Sequence, residues 1–288
     1  MTGPFIGSEA IAKGILTPYQ LRSRYQAIHP DVYIAKGTEL TAIQRAYAAW
    51  LWSKGRGIVA GQSAAALHKA KWVDHRKPAE LQYENRHPPK DIVIWSDRVA
   101  PEETQVVAGV LATTPTRTAF DLACHYPLNK AVAAIDALAR VTKLQTADVE
   151  PLLAHYRGHR NIRRARKALA LVDPGAQSPK ETWLRLLVIQ AGYPRPQTQI
   201  PIYGRYQELV GIVDMGWETI RVALEYEGEH HRRPGQFAKD IARYETMTTD
   251  LDWIVLRVTS QDTAGGILGR LAVAWSTRAS TPTPARSA

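Results

Sequence analysis

The segment from residue 212 to residue 231 constrains the fold of this chain more than any other part of its sequence. Two apolar runs, 212–215 and 222–226, stand on either side of a short polar stretch. This pattern predicts two β-strands joined by a tight connection. Asp214 lies inside the first run, where a carboxylate is unfavourable unless it has a partner. We therefore expect the two strands to bring a partner to Asp214.

The acids of this segment are expected to converge. Side chains alternate along a strand, so Glu225 and Glu227 share one face of the second strand. If the two runs pair as a hairpin, Asp214 comes near both glutamates. Carboxylate oxygens gathered at a sheet edge suit a hard cation, and Mg²⁺ is usually held by one or two carboxylates together with substrate phosphates. The pattern predicts a Mg²⁺ site, with Mn²⁺ as an alternative ion. A second interpretation is that Glu227 and Glu229 are ordinary solvent-facing acids.

The overall charge favours a polyanionic partner, and we expect that partner to be DNA. The 288-residue chain has a formal net charge of +10 and an isoelectric point of about 9.7. A basic composition is about as common in proteins that bind no nucleic acid, so the charge alone does not decide the question. A hydrophobic content of 45% is enough for two or three small domains with cores of their own.

The single cysteine, Cys124, excludes an internal disulfide and a cysteine-based zinc cluster. It stands in a helix-like pattern, and we expect it to be a small buried core residue. The chain has no uninterrupted apolar run of ~18 residues and no N-terminal signal pattern. The sequence therefore indicates a cytoplasmic protein without a membrane-spanning segment.

The first 75 residues are expected to form a DNA-binding head. The pattern predicts helices over 8–13 and 17–25, a β-hairpin over 28–34, and two further helices over 41–54 and 62–69. A helix, a short turn, a basic second helix and a hairpin are the elements of a winged helix-turn-helix, whose second helix enters the major groove. Arg22 and Arg24 on that second helix would then face DNA. The alternative is a small helical packing unit with surface arginines.

Residues 76–172 are expected to form an α/β middle module that ends in a basic helix. Strands are predicted over 90–95 and 105–111, and helices from residue 114 and over 129–140. No chemistry is evident in this scaffold, and Asp121 and Asp136 are expected at the surface or as caps. The basic run over 155–167 follows it. At helical spacing, one stripe of this run would hold four cations: Arg157, Arg160, Arg164 and Lys167. Such a stripe could either bind phosphates or be a basic helix face exposed to solvent.

The third predicted domain covers residues 173–275, and residues 276–288 are expected to be a disordered tail. Ser178 and Glu181 have the spacing of a capping box at the start of a helix. Three strands, a helix, a strand and a last helix are then predicted. The fold class is therefore α/β, or more fully an α+β multidomain protein.

The C-terminal third resembles the PD-(D/E)XK nucleases, specifically the small endonucleases related to the very-short-patch mismatch repair enzymes. Helix, hairpin, strand, helix, strand is the core order of these nucleases. The segments that carry the resemblance span about 80 residues in the same order: Ser178-Pro-Lys-Glu181, Val213-Asp214, Leu224-Glu-Tyr-Glu-Gly-Glu-His-His-Arg232, Asp240-Ile-Ala-Arg243 and Trp253-Ile-Val-Leu-Arg257.

The first 150 residues resemble the N-terminal domain of AbiEi-type antitoxins. The resemblance lies in Gly61-Gln-Ser-Ala-Ala-Ala-Leu-His68 and in Thr113-Thr-Pro-Thr-Arg-Thr-Ala-Phe-Asp-Leu-Ala123. It implies a winged-helix DNA-binding head followed by an α/β module.

The nuclease resemblance implies a role for each motif residue. Asp214 and Glu225 would hold the metal, Glu227 would stand at the position of the motif's lysine, and Glu181 would be the helix acid that reaches the metal. His231 would match the motif's histidine. The family pattern usually has Asp at the position of Glu227 and Gly at that of Asp252. The further residues implied are Asp240 and Arg243 on the helix behind the site.

The chemistry of phosphodiester hydrolysis suggests how these residues would work together. The bound Mg²⁺ would polarise the phosphate and lower the pKa of a water molecule. His231, or His230 beside it, would act as general base or acid. Arg232 and Arg243 would hold flanking phosphates. Alternatively, the two histidines are turn residues before Pro234.

Two functions from different classes follow from these patterns. The first is a metal-dependent DNA endonuclease or nickase that is positioned by the winged helix. The second is a non-catalytic, DNA-binding transcriptional regulator of antitoxin type built on a nuclease-like fold. A two-fold homodimer would be natural for an enzyme that cuts both strands.

Overall fold

The computed structural model describes residues 3–85, 87–228 and 236–279, and for residues 236–240 it describes the helix but not the side chains. The chain divides into two compact units, Met1–Pro174 and Gly175–Ala288. Mixed sheets and helices occur in both units, which confirms the predicted α+β multidomain class. None of the described helices is long and apolar enough to cross a membrane.

The first unit begins with a small three-stranded antiparallel sheet in the order β1-β3-β2. Its elements are β1 (Phe5–Ile6), α1 (Gly7–Ala12), α2 (Pro18–Arg24), β2 (Tyr25–His29) and β3 (Val32–Ala35). Thr17 caps α2: its hydroxyl accepts a hydrogen bond from the Gln20 amide at 3.1 Å. The predicted order of two helices and a hairpin is therefore present, with longer hairpin strands than the sequence indicated.

A five-stranded mixed sheet in the order β6-β5-β4-β8-β7 follows in the same unit. Its strands are β4 (Ile58–Val59), β5 (Ala79–Gln82), β6 (Ile92–Trp95), β7 (Thr104–Val107) and β8 (Val110–Thr113). Helix α3 (Ala42–Trp52) precedes β4, and helix α4 (Gly61–Leu67) follows it. Ala46 of α3 packs in one core with Leu81 and Ala112 of the sheet. The packing therefore has no division at residue 75, where the sequence suggested a boundary. A second difference concerns residues 105–111, for which the sequence predicted a single strand. These residues form most of the β7–β8 hairpin, which turns at Ala108 and Gly109, both with positive φ.

Four α-helices follow in the described part of the first unit: α5 (Pro115–His125), α6 (Leu128–Thr142), α7 (Glu150–His155) and α8 (Ile162–Ala170). Cys124 is buried, as predicted. Asp121 and Asp136 are also buried, so the expectation of a surface position was wrong for both. Asp121 accepts a hydrogen bond from buried Arg117 at 2.7 Å, and Asp136 accepts one from the Asp173 amide at 2.7 Å. Each carboxylate is partnered, which is the condition for burying it.

The second unit has the predicted order of a helix, three strands, a helix, a strand and a helix. The elements are α9 (Pro179–Gln190), β9 (Gln197–Tyr203), β10 (Leu209–Trp217), β11 (Val222–Tyr226), α10 (Gln236–Glu245), β12 (Ile254–Val258) and α11 (Ala264–Ala279). The strand order is β12-β11-β10-β9, in which β11 and β12 are parallel and the other pairs antiparallel. Helix α11 extends to residue 279, so the tail expected from residue 276 was wrong for its first four residues; residues 280–288 lie outside the described part of the chain.

Apolar clusters cover both faces of this sheet. Leu184 of α9 and Leu271 of α11 pack with Met215 and Leu224 on one side. Met247, which follows α10, packs with Val213 and other residues on the opposite side. The sheet is therefore enclosed between helices, and the side chains of Asp214 in β10 and Glu225 in β11 lie next to an apolar core.

Candidate functional site

The strand register brings Asp214 and Glu225 to adjacent positions. Met215 and Leu224 are the last pair in the antiparallel ladder of β10 and β11, and Asp214 and Glu225 are the residues directly beyond that pair. The two carboxyl groups are close enough to interact electrostatically. The Tyr226 amide donates to Asp214 Oδ2 at 2.7 Å. The backbone of β11 thus holds the Asp214 carboxylate in place beside the glutamate.

The two carboxyl groups are difficult to ionise together. Burial, with a smaller contribution from the negative charge of Glu181, raises the pKa of Asp214 to about 6, although the hydrogen bond from the Tyr226 amide opposes the rise. Burial likewise raises the pKa of Glu225 to about 7; the Arg243 guanidinium opposes the rise, while Asp214 and Glu227 add to it. A cation placed between these groups would relieve both effects.

Helix α10 supplies two partners to this site: Arg243, which the nuclease resemblance implied, and Tyr244, which the sequence did not predict. The Tyr244 hydroxyl contacts Glu225 and lies 3.1 Å from Glu227 Oε1, so the two glutamates share a face as expected. Arg243 Nη2 lies 3.4 Å from Glu225 Oε1. To predict the contact of Tyr244, one must know which side of α10 faces the sheet. That orientation is determined by the packing of the helix and cannot be inferred from the sequence of the helix alone.

Strand β12 contributes a second unpredicted residue, Arg257. The parallel register pairs Arg257 with Glu225, and the guanidinium Nε donates to Glu227 Oε1 at 2.8 Å. A signal for this contact existed in the sequence, because Glu225 and Arg257 are each the fourth residue of their apolar runs. Glu227 is therefore paired with the positive charge of an arginine.

Glu181 lies buried at the start of α9, where it satisfies backbone groups. The Ser178 hydroxyl accepts from the Glu181 amide at 3.2 Å, and Glu181 Oε2 accepts from the Gln177 amide at 2.7 Å. The capping function anticipated from the spacing is thus present, with Gln177 as the backbone donor. Glu181 also acts on Asp214 electrostatically, so it belongs to the same site.

Several predicted site residues lie outside the described part of the chain. They are His231, Arg232 and their neighbours Glu229, His230 and Arg233. Asp240 falls within α10, but its side chain is not among those described. The roles expected for these residues stay predictions.

The basic run is not one continuous helical stripe. Helix α7 ends at His155 and α8 begins at Ile162, and Asn161 between them has a φ of 69°. Arg157 and Arg160 are exposed in this turn, whereas Lys167 is exposed on α8. The expected common stripe was wrong, because glycine and a left-handed asparagine in the turn break the helix.

Arg164 differs from the other cations of the run. Its guanidinium donates to the Cys124 carbonyl at the end of α5. This contact directs the Arg164 side chain towards the protein interior. The hydrogen bond therefore joins α8 to α5. Arg157, Arg160 and Lys167 stay candidates for phosphate contact.

The head presents Arg22 and Arg24 to solvent. Both are exposed on the last turn of α2, and Tyr19 on the same helix is 74% exposed. Leu21 is buried and fixes the inner face of the helix. The arrangement leaves a basic, partly aromatic surface on α2 beside the β2–β3 hairpin.

Among the described residues, the side chains that bring three metal-type ligand atoms within 4.8 Å of one another are Asp97, His125 and His159. This group belongs to the first unit. In the second unit, Asp214 and Glu225 form a pair of carboxylates, which is the number that Mg²⁺ often takes from a protein.

Residues 58–171 match a family model described as the AbiEi antitoxin C-terminal domain. The resemblance to AbiEi-type antitoxins is therefore supported in the first unit. The matched domain is the C-terminal one, however, where the sequence motifs had suggested the N-terminal one. The match begins at β4 and ends before α9, so it includes neither the α2 hairpin head nor the carboxylate pair.

Two curated proteins of Mycobacterium tuberculosis, both described as uncharacterized, are similar to the chain. They come from the strains CDC 1551 / Oshkosh and ATCC 25618 / H37Rv, and each is 35% identical over 159 residues, or 55% of this chain. The chain spans 58% of the length of these relatives. No solved structure matches it significantly. What the comparisons establish is thus a region, residues 58–171, that is similar to an antitoxin domain.

Proposed function

We propose that this chain is a DNA-binding regulator of transcription, of antitoxin type. The observation that carries the proposal is the match of residues 58–171 to an antitoxin domain. A helix–hairpin head precedes that domain, and its second helix exposes Arg22, Arg24 and Tyr19. Cations and an exposed aromatic side chain on such a helix suit phosphates and base edges in the major groove. The net charge of +10 agrees with a polyanionic partner.

Binding of a labelled duplex by the double variant Arg22→Ala/Arg24→Ala tests this proposal. Each phosphate contact contributes about 0.9 to the slope of log K against log salt, so we expect the slope to fall by about 1.8. Fluorescence anisotropy at several salt concentrations measures it. The matched control is Arg76→Ala/Lys77→Ala, which removes two exposed cations from the same unit outside α2. Equal slopes for wild type and the α2 variant would refute the proposed contact.

The second candidate function is a metal-dependent DNA endonuclease or nickase, and the carboxylate pair on β10 and β11 favours it. Asp214 is half-buried and Glu225 is buried, each acts electrostatically on the site, and burial raises the pKa of both carboxyl groups. Carboxyl groups with raised pKa values at one place are candidates for a functional site. Their oxygens fit Mg²⁺, which would supply Lewis-acid activation of a phosphodiester and of water. The comparisons give this candidate no support, and they favour the regulator.

The protein's own groups would have defined tasks in such a nuclease. Asp214 and Glu225 would hold the ion, and both must lose their protons first, which their raised pKa values delay until neutral pH. Arg243 would have to release Glu225 and could then reach a flanking phosphate. Arg257, paired with Glu227, would supply positive charge near the position of the motif's lysine. His231 stays a predicted general base or acid.

Nicking of supercoiled plasmid with and without Mg²⁺ tests the second candidate. Asp214→Asn keeps the shape of the side chain while it removes the charge, so we expect metal-dependent cleavage to fall at least about 100-fold. Glu218→Gln is the matched control, because Glu218 is an exposed acid in the connection between β10 and β11.

The outcomes of this assay separate the two functions. If wild type cleaves no duplex, mismatched or single-stranded DNA with Mg²⁺ or Mn²⁺, the nuclease is refuted and the regulator stands. Under the regulator function, Asp214→Asn should bind DNA at least as tightly as wild type, since it removes negative charge. The Arg22/Arg24 experiment measures binding alone, so its result does not depend on cleavage.

A further inference from the structure

A second cluster of potential ligands lies in the first unit, far along the chain from the carboxylate pair. Asp97 follows β6, His125 ends α5, and His159 lies in the turn between α7 and α8. The distance from His125 Nε2 to Asp97 Oδ2 is 2.7 Å, and His159 Nε2 lies 3.1 Å from Asp97 Oδ1. Each histidine thus faces a different oxygen of one carboxylate.

The hydrogen bond on the far side of His159 indicates what stands between it and Asp97. His159 Nδ1 lies 2.5 Å from the Arg160 carbonyl oxygen. A carbonyl can only accept, so Nδ1 carries the proton, and Nε2 of the neutral ring presents a lone pair. That lone pair faces a carboxylate oxygen, which is also an acceptor. Two facing acceptors require a proton or a metal ion between them.

The rest of the cluster is built as metal ligands usually are. A ligating histidine commonly donates its other ring N–H to a backbone carbonyl, as His159 does here. The Asp97 amide donates to Gln82 Oε1 at 3.0 Å, and the His125 ring stacks on Trp95 with centroids 4.1 Å apart. These contacts hold Asp97 and His125 in place by packing as well as by their own pairing.

The cluster is also open to solvent. The side chains of His125, Asp97 and His159 are 27%, 23% and 18% exposed, so an ion can enter and coordination positions stay free for water or another ligand. Two imidazoles and one carboxylate suit zinc, iron, nickel or cobalt, whereas Mg²⁺ and Ca²⁺ prefer oxygen donors alone. The donor set therefore distinguishes this cluster from the Asp214–Glu225 pair.

We propose that Asp97, His125 and His159 bind one divalent transition-metal ion, for which Zn²⁺ is the appropriate probe. The ion would join the end of β6, the end of α5 and the α7–α8 turn within the region that matches the antitoxin domain. The proposal does not depend on either candidate function. Binding to the native state alone would raise the thermal stability of the unit.

Calorimetric titration of the metal-stripped full chain with Zn²⁺ tests the proposal, together with thermal unfolding with and without Zn²⁺. We expect one tight equivalent in wild type and at least about 10-fold weaker binding in Asp97→Asn, His125→Ala and His159→Gln. His155→Ala is the matched control, because His155 is an exposed histidine four residues before His159. Its Zn²⁺ affinity should equal that of wild type.

A second measurement distinguishes the loss of a metal ligand from a folding defect in a variant. Co²⁺ bound by two histidines and a carboxylate gives visible absorption bands, which should be lost in His125→Ala while the circular dichroism spectrum stays native. Asp97→Asn keeps the size of the side chain and serves as the mildest variant. If wild type binds no Zn²⁺, or if all three variants bind it as wild type does, the cluster is only a hydrogen-bonded histidine–aspartate pairing and the proposal is wrong.

Discussion

Glu80 is a buried carboxylic acid in β5 whose two oxygens both accept hydrogen bonds. The Gln62 amide donates to Oε2 at 2.6 Å, and the Tyr126 hydroxyl donates to Oε1. Burial raises the pKa of Glu80 to about 6, although both hydrogen bonds oppose the rise. The folded state therefore favours the protonated acid more than the unfolded chain does.

This shift predicts a pH-dependent contribution to stability. Because the folded-state pKa lies above the unfolded value of 4.5, the contribution is complete below pH 4.5 and is lost as the pH rises through about 6. The loss for Glu80 amounts to about 2 kcal/mol. Urea denaturation of wild type and Glu80→Gln across this range measures it. The stability of the variant relative to wild type should rise by that amount, and a constant difference would contradict the prediction.

At the scale of elements, the approach of β10 to β11 decides whether the carboxylate pair can form. Gly216 pairs with Ala223 in the ladder. A Cβ atom at Gly216 would lie 2.3 Å from the Val222 carbonyl oxygen and 2.8 Å from the Ala223 Cα. Both neighbours are backbone atoms that cannot rotate away. Gly216 is therefore required for the close contact of the strands that carry Asp214 and Glu225.

The substitution Gly216→Ala should separate these strands and destabilise the second unit by about 2 kcal/mol or more. Chemical denaturation followed by tryptophan fluorescence measures this, since Trp217 adjoins the site. The control is Gly269→Ala on the exposed face of α11, where an added Cβ meets nothing within 4 Å. Alanine there should stabilise the helix by about 0.5–1 kcal/mol. Equal effects of the two substitutions would show that contact with β11 is not the cause.

At the scale of the whole molecule, the division at residue 174 predicts how the chain can be cut. Fragments 1–174 and 175–288 each keep a core of their own, so each should unfold cooperatively. Fragment 1–75 should not, because Ala46 and Val59 lose the core partners Leu81 and Ala112. Thermal melts followed by circular dichroism test this. A cooperative melt of fragment 1–75 would contradict the shared core.

Much of the second unit follows from local sequence. The spacing of apolar residues predicts its helices and strands, and the Ser178 hydroxyl marks the start of a helix because it can cap the first amides. Pairing of two neighbouring runs brings Asp214 to Glu225. The partners Tyr244 and Arg257 could not be predicted in the same way, since they arrive from elements that come later in the chain and the docking of those elements sets their contacts.

The sequence by itself determined the order of the elements in the second unit, the acidic pair and the basic surface of α2, because these depend on side chains near one another along the chain. Only the tertiary structure decided that Arg164 and Asp121 point inward, that the first 174 residues share their packing, and that Asp97 meets His125 and His159. Those histidines are 28 and 62 residues away from Asp97. The physical reason is that long-range packing determines which distant side chains meet, whereas the spacing of apolar residues along the chain determines only local structure.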